Sequence, residues 1–340
     1  MKMHLKYFAI FALFIIMNGC LEDNSKTVEP VTIDNTALLL KYFEEGNNFV
    51  NTSQMPPIMD AEELFNNLDN YLILDIRGQS DYQNGHIKNA VNVASSELAN
   101  IAGISTKLKI VIVSYTGQSA CYYATLLRYL DLNNVYALKY GMCSWNKVFI
   151  GPWSKMITNQ FNIGLTNEFN TKNSFKPMPA VDLAPGQSIQ SWVEERIKNL
   201  LSMSFEDTLT TNYNSGLTTD FEHLPGTDSL YCFGPDYSFI SPIDGVFHPV
   251  RSRYLSDSPN SDLQAARQLQ TLPPASPVSI YSFNGQRSAC AVAYLRILGY
   301  NARSVLFGFS SFGYLTLAHN NGFDNETLTI DDIKNYDYVK

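Results

Sequence analysis

Cysteine and histidine are scarce, at 5 each in 340 residues. Cysteines so widely spread define no disulfide framework, and no Cys or His spacing marks a zinc site. Basic residues are few, 24 against 32 acidic, for a net charge of −8, which argues against a nucleic-acid partner. Long apolar runs are missing beyond the N-terminus, which excludes a multi-pass membrane protein. No motif implies a cofactor. What is present is ample core material, 45% hydrophobic with 13% aromatic residues. Wholesale disorder is thereby excluded, and at roughly 150 residues per domain the length predicts about two domains.

The one apolar run follows Lys2 and Lys6 and spans Tyr7 to Met17, the length of a secretory h-region rather than a bilayer span. It ends at Met17-Asn18-Gly19-Cys20, which resembles the bacterial lipobox, although Asn18 stands where a small residue is usual. The resemblance implies removal of residues 1–19 and lipidation of Cys20, so that acyl chains rather than charge attach an acidic protein to the membrane. Leu21 after the Cys implies sorting to the outer membrane, facing the periplasm. The alternative is an ordinary secretory signal with an incidental Cys.

Self-comparison reveals a repeat. Ser114-Tyr115-Thr116-Gly117-Gln118 recurs as Ser282-Phe283-Asn284-Gly285-Gln286, and at the same offset Leu127-Arg128-Tyr129-Leu130 recurs as Leu295-Arg296-Ile297-Leu298. A second block pairs Asp81-Tyr82 with Asp236-Tyr237 and Asn89-Ala90-Val91 with Asp244-Gly245-Val246. Tyr71 to Ile76, Lys109 to Ser114 and Val278 to Ser282 read as strands buried on both faces; Asp60 to Asn67, Ser119 to Leu130 and Ser288 to Leu298 read as helices. Each Gly-containing loop therefore joins a strand's C-terminal end to a helix N-terminus, where open α/β sheets place ligands. The predicted organisation is a signal peptide over 1–19, a tether over 20–36, a first domain over 37–153, a linker over 154–186 and a divergent second domain over 187–340.

The chain resembles the rhodanese-like (thiosulfate sulfurtransferase) family. Leu72 to Arg77 looks like its strand ending Asp-x-Arg, and Tyr82 to Ala90 like its Tyr-x-x-Gly-His-Ile stretch. Gly141 and Trp145 fit the Gly and Trp after its last strand. The second copy is weaker, with Leu230, Cys232 and Ser241 where Asp75, Arg77 and His86 stand in the first. The resemblance implies an α/β fold of two rhodanese-like domains, each a mainly parallel sheet with helices on both faces.

In active members a Cys opens the six-residue loop and carries sulfur as a persulfide, its thiol acidified by converging backbone N–H groups. Here Ser114 and Ser282 stand in its place. A hydroxyl needs an adjacent base and forms no persulfide, so neither loop carries the nucleophile. The loops Ser114, Tyr115, Thr116, Gly117, Gln118, Ser119 and Ser282, Phe283, Asn284, Gly285, Gln286, Arg287 remain candidate anion cradles. The second is favoured because Arg287 stands where the first has Ser119; the alternative pairs Arg287 with a surface carboxylate. Asp75 and Arg77 form either an ion pair supporting the loop or a solvated pair. His86, lacking a nucleophile to serve, reads as structural. Cys121 and Cys290, just after the loops, are substitute nucleophiles if exposed and core residues otherwise.

The sequence thus predicts a periplasm-facing, membrane-anchored lipoprotein without ordinary sulfurtransferase activity, binding a small anion or an envelope partner protein. The competing expectation is a sulfur carrier working through Cys121 or Cys290.

Overall fold

Ile110–Val113 reads Ile-Val-Ile-Val, and all four residues are buried, as in an inner strand of a parallel sheet covered on both faces. The computed structural model describes residues 34–156, 165–166, 168, 170–205, 210–211, 229–235, 248–249, 251–257, 260–311, 313 and 327–340. There this strand lies at the centre of a five-stranded sheet. Its members are β1 (Ile58–Met59), β2 (Leu72–Asp75), β3 (Ala90–Asn92), β4 (Ile110–Val113) and β5 (Val135–Leu138), ordered β1-β5-β4-β2-β3 and parallel throughout. After β6 (Leu165–Thr166), a second sheet contains β7 (Thr210–Thr211), β8 (Ser229–Gly234), β10 (Arg253–Ser256), β11 (Val278–Tyr281) and β12 (Ala302–Val305). Its order, β10-β8-β11-β12-β7, matches the first strand for strand, again all parallel. Strand β9 (His248–Pro249) pairs with β6, antiparallel.

The predicted strands and loop-following helices stand within a residue or two of their expected bounds. The signal peptide, Cys20, the tether to residue 33, and the second-copy positions Asp236, Tyr237, Ser241 and Asp244 to Val246 lie outside the described residues. Among those described, no helix is long and apolar enough to cross a membrane.

Helix α1 (Asn35–Glu45) begins inside the expected tether, because the Asp34 carboxylate caps it, accepting from the Thr36 and Ala37 N–H groups at 3.0 Å. The sheets' helices include α2 (Ala61–Phe65), α3 (Gln79–Asn84), α4 (Leu98–Gly103) and α5 (Gln118–Arg128), then α6 (Gly141–Trp145), α7 (Gly151–Met156), α8 (Ile189–Leu201) and α9 (Gln286–Ile297). Every residue of α5 is buried, and α9 is buried except at Arg287 and Arg296. An α-helix buried all round must be covered on each side, and here α5 and α9 pack on each other as well as on their sheets, in one core cluster.

The repeated Leu-Arg dipeptides acquire a meaning in this packing. Arg128 Nε donates to the Val135 carbonyl at 3.0 Å and Arg296 Nε to the Ala302 carbonyl at 2.6 Å, so each Arg ties its helix to the first residue of the following strand. Two segments depart from the expected domain boundaries. Within the linker, the Pro179 and Val181 carbonyls accept from Thr36 and Asn35, anchoring it to α1. The chain's last residues, expected in the second domain, pack on the first. The Lys334 and Tyr336 N–H groups donate to the Ser144 and Trp145 carbonyls, Tyr336 stacks on Phe65, and Val339 bridges to His86.

Candidate functional site

In both copies the loop leaves the sheet at its central strand. Ser114 follows β4 and Gly117, at φ +82, turns the chain into α5; Ser282 follows β11 and Gly285, at φ +84, turns it into α9. Left-handed backbone of this kind favours glycine. Each loop is held from beneath by the segment after its last strand. The Met142 and Cys143 N–H groups donate to the Ser114 and Tyr115 carbonyls at 2.9 and 3.2 Å, and Phe309 and Ser310 do the same to Ser282 and Phe283 at 2.8 and 2.9 Å. The backbones approach so closely that a Cβ on Gly141 or Gly308 would run into the Ser114 or Ser282 carbonyl oxygen. Tyr140-Gly141 therefore has a counterpart in Phe307-Gly308, with φ of +57 and +61 at the aromatics. Extending the repeat comparison with a one-residue gap finds it.

The first loop opens on a cavity of about 390 Å³ lined by Ile76, Arg77, Gly78, Ser95, Ser114, Tyr115, Ser119, Tyr123 and Ser204. Asp75 and Arg77 are not a solvated pair: both are buried, with Arg77 Nε 3.0 Å from Asp75 Oδ1 and Nη2 2.6 Å from Oδ2. Nη2 also donates to the Gly85 carbonyl at 2.8 Å, and the guanidinium lies over the Tyr115 and Phe149 rings. Its Nη1 makes no hydrogen bond among the described residues. Ser114 Oγ accepts from the Gly117 N–H at 3.0 Å. Among the described residues no base reaches it, since the neighbouring carboxylates are committed, Asp75 to Arg77 and Asp81 to the Tyr115 hydroxyl. Burial, then the bond to Asp81, pushes the Tyr115 phenol up to about 12.

The second loop, favoured on sequence, is differently furnished. Arg287 Nη1 pairs with Asp257 at 2.5 Å, and Asp257 is 7% exposed, so the cation already has a buried counter-ion. Gln118, from the first loop, reaches across and lies against Gly285. Its Nε2 donates to Ser304 Oγ at 2.8 Å and the Val305 carbonyl at 2.9 Å, while its Oε1 accepts from the Phe307 N–H at 2.9 Å. Ser282 Oγ accepts from the Ser288 N–H at 3.2 Å, and Ser288 meets Ser304 at 3.0 Å. Of the two alternatives for Arg287 the structure shows the pairing with a carboxylate, here a buried one, while the cavity described above opens at the first loop.

Cys121 and Cys290 are both fully buried, and Cys290 Sγ lies 3.8 Å from the Cys121 carbonyl across the α5–α9 contact. Burial raises the Cys121 thiol well above its ordinary value. Cys143 and Cys232 are buried too, each pushed up to about 12 by burial. None of the four is presented at a loop mouth. His86 stacks on Tyr82 and its Nδ1 meets the Tyr82 carbonyl at 2.9 Å, a structural placement. Among the described residues no His, Cys, Asp and Glu cluster could hold a metal. Ser95 and Ser204 carry no signal in the sequence, because only packing brings them beside the loop.

Residues 60–148 match the rhodanese-like domain family. Among solved structures, the chain is similar to a rhodanese-related protein from Thermoplasma volcanium, 28% identical over 26% of this chain and 87% of that one, TM-score 0.23. It is similar to a human single-domain sulfurtransferase, 20% identical over 24% of this chain and 88% of that one, TM-score 0.22. It is also similar to a thiosulfate sulfurtransferase from Pseudomonas aeruginosa, 13% identical over 88% of this chain and 47% of that one, TM-score 0.27. No curated protein matches the chain.

Proposed function

We propose that this protein is a lipoprotein, anchored through Cys20 to the outer membrane and facing the periplasm, whose first rhodanese-like loop binds a small anion without transferring sulfur. The observation that carries the reading is that both loops open with serine while Cys121, Cys143, Cys232 and Cys290 are all buried. Persulfide transfer needs a thiolate that meets the donor, and burial hides all four thiols and pushes those of Cys121, Cys143 and Cys232 up. Binding needs less. Arg77, Ser114 and Ser119, the last in the first turn of α5, line one cavity, a setting that suits an anion. A protein partner in the envelope, docking over the same loop, would use the same donors.

The purified full-length protein should show no transfer of sulfur from thiosulfate to cyanide above background, yet a monoanion such as benzenesulfonate should perturb the fluorescence or NMR signals of residues around the first loop. Turnover that disappears with Cys121→Ala or Cys290→Ala would overturn the assignment and restore the sulfur-carrier reading. Mass spectrometry of the mature N-terminus tests the anchor. An unmodified start elsewhere than Cys20 removes that part of the proposal.

A further inference from the structure

Resting on that reading of the first loop, we infer that its pocket selects a monoanionic tetrahedral head, a sulfonate or sulfate ester, borne on a compact organic group. Three observations lead there. The first is charge. Arg77 is the one cation among the described lining residues, and Asp75 already neutralises it through a multidentate pair in which the two side chains are 2% and 0% exposed. What remains for a ligand is one guanidinium nitrogen, neutral donors and the partial positive charge of a helix N-terminus, about half an elementary charge. One negative charge is met by these. A second would sit desolvated without a counter-ion, which a partly buried site does not tolerate.

The second observation is the donor set. Ser119 is only 6% exposed, lines the cavity and makes no hydrogen bond among the described residues. Ser114 Oγ accepts from Gly117 N and has its own proton to give. The backbone N–H groups of Tyr115, Thr116, Gln118, Ser119 and Ala120 have no partner among the described residues. A hydroxyl that lines a cavity and has no protein acceptor keeps its proton to donate to a ligand. Ser114, Ser119 and Arg77 Nη1 are three separate side-chain donors, which matches the three oxygens of a tetrahedral head better than the two of a planar carboxylate.

The third is size. A cavity of about 390 Å³ is far larger than a five-atom ion needs and falls in the range of roughly 300–1,000 Å³ usual for organic ligands. The Tyr115 and Tyr123 rings and Ile76 supply apolar wall for the group that carries the head.

The test is calorimetric titration of the full-length protein with three probes of one shape, benzenesulfonate, phenyl phosphate and benzoate. Benzenesulfonate should bind one to one, with the same affinity at about pH 5 and pH 7.5, since its charge is fixed. Phenyl phosphate gains its second charge near pH 6 and should bind about 10-fold more weakly at the higher pH. Benzoate should be weaker than benzenesulfonate by a similar factor. Ser119→Ala should weaken benzenesulfonate about 10-fold, one hydrogen bond's worth, with an unchanged melting temperature. Ser119→Asp should abolish binding. Tighter binding of phenyl phosphate as the dianion, or benzoate equal to benzenesulfonate, overturns the selectivity while leaving anion binding intact. If none of these, nor sulfate or inorganic phosphate, binds at all, the anion reading itself fails with it.

Discussion

The glutamines that follow the two loop glycines are the same residue of the same motif, 1% and 2% exposed, yet their substitutions should differ sharply. Gln118 makes three hydrogen bonds into the other copy, to Ser304, Val305 and Phe307. Gln286 Nε2 is buried with no partner among the described residues. Ala137 stands where the second copy has Ser304 and offers no hydroxyl, which accounts for one of the three bonds. Leucine approximates glutamine in volume, so Gln118→Leu removes the bonds without a large cavity. At about 0.5–1.5 kcal/mol net per bond, with the Phe307 N–H and Val305 carbonyl left buried, the expected loss is about 3 kcal/mol. Gln286→Leu removes a donor that was already unsatisfied and should shift stability by less than about 1 kcal/mol. Urea unfolding of the full-length protein, with m-values compared to exclude a change in the unfolded state, measures both. Equal losses would refute the reasoning, as would a Gln118→Leu loss below about 1 kcal/mol.

Other outcomes follow from the same geometry. Gly141→Ala forces a left-handed backbone and a collision with the Ser114 carbonyl, and should cost at least about 2 kcal/mol, whereas Gly151→Ala, with open space around it, should be near neutral in the same melt. Cys143 and Cys232 bind their protons more tightly folded than unfolded, with values of about 12 against an ordinary 9.0. Their contribution is whole below about pH 9 and is lost as pH rises through about 12, so the urea midpoint should fall over that window, and fall less in Cys232→Ala. Removing residues 334–340 strips the stacked Tyr336 from Phe65 and the Val339 bridge from His86, and should lower the melting temperature of the protein. Ser114→Cys should give a thiol that alkylates below the reference pKa near 8.5, because Arg77 and the α5 N-terminus favour the thiolate; titration at or above that value would mean the loop no longer receives charge.

What the sequence determined by itself is what recurs locally. The Ile-Val-Ile-Val strand, the Gly that turns each loop, the Asp75-x-Arg77 ending and the Leu-Arg pairs are read from composition and spacing, because each acts within one strand–loop–helix unit. The missing nucleophile was legible for the same reason, as a single residue at a fixed place in a loop. What surrounds each loop was not legible. That depends on Asp257, 30 residues from Arg287, and on Gln118, more than 160 residues from the glycine it lies against. Nor could spacing tell whether Cys121 and Cys290 face a donor or one another's helix, since both alternatives place them just after a loop. Tertiary packing decided these points: a charge or thiol takes its chemistry from whatever surrounds it, and the surroundings here are assembled from both copies, the linker and the chain's last residues.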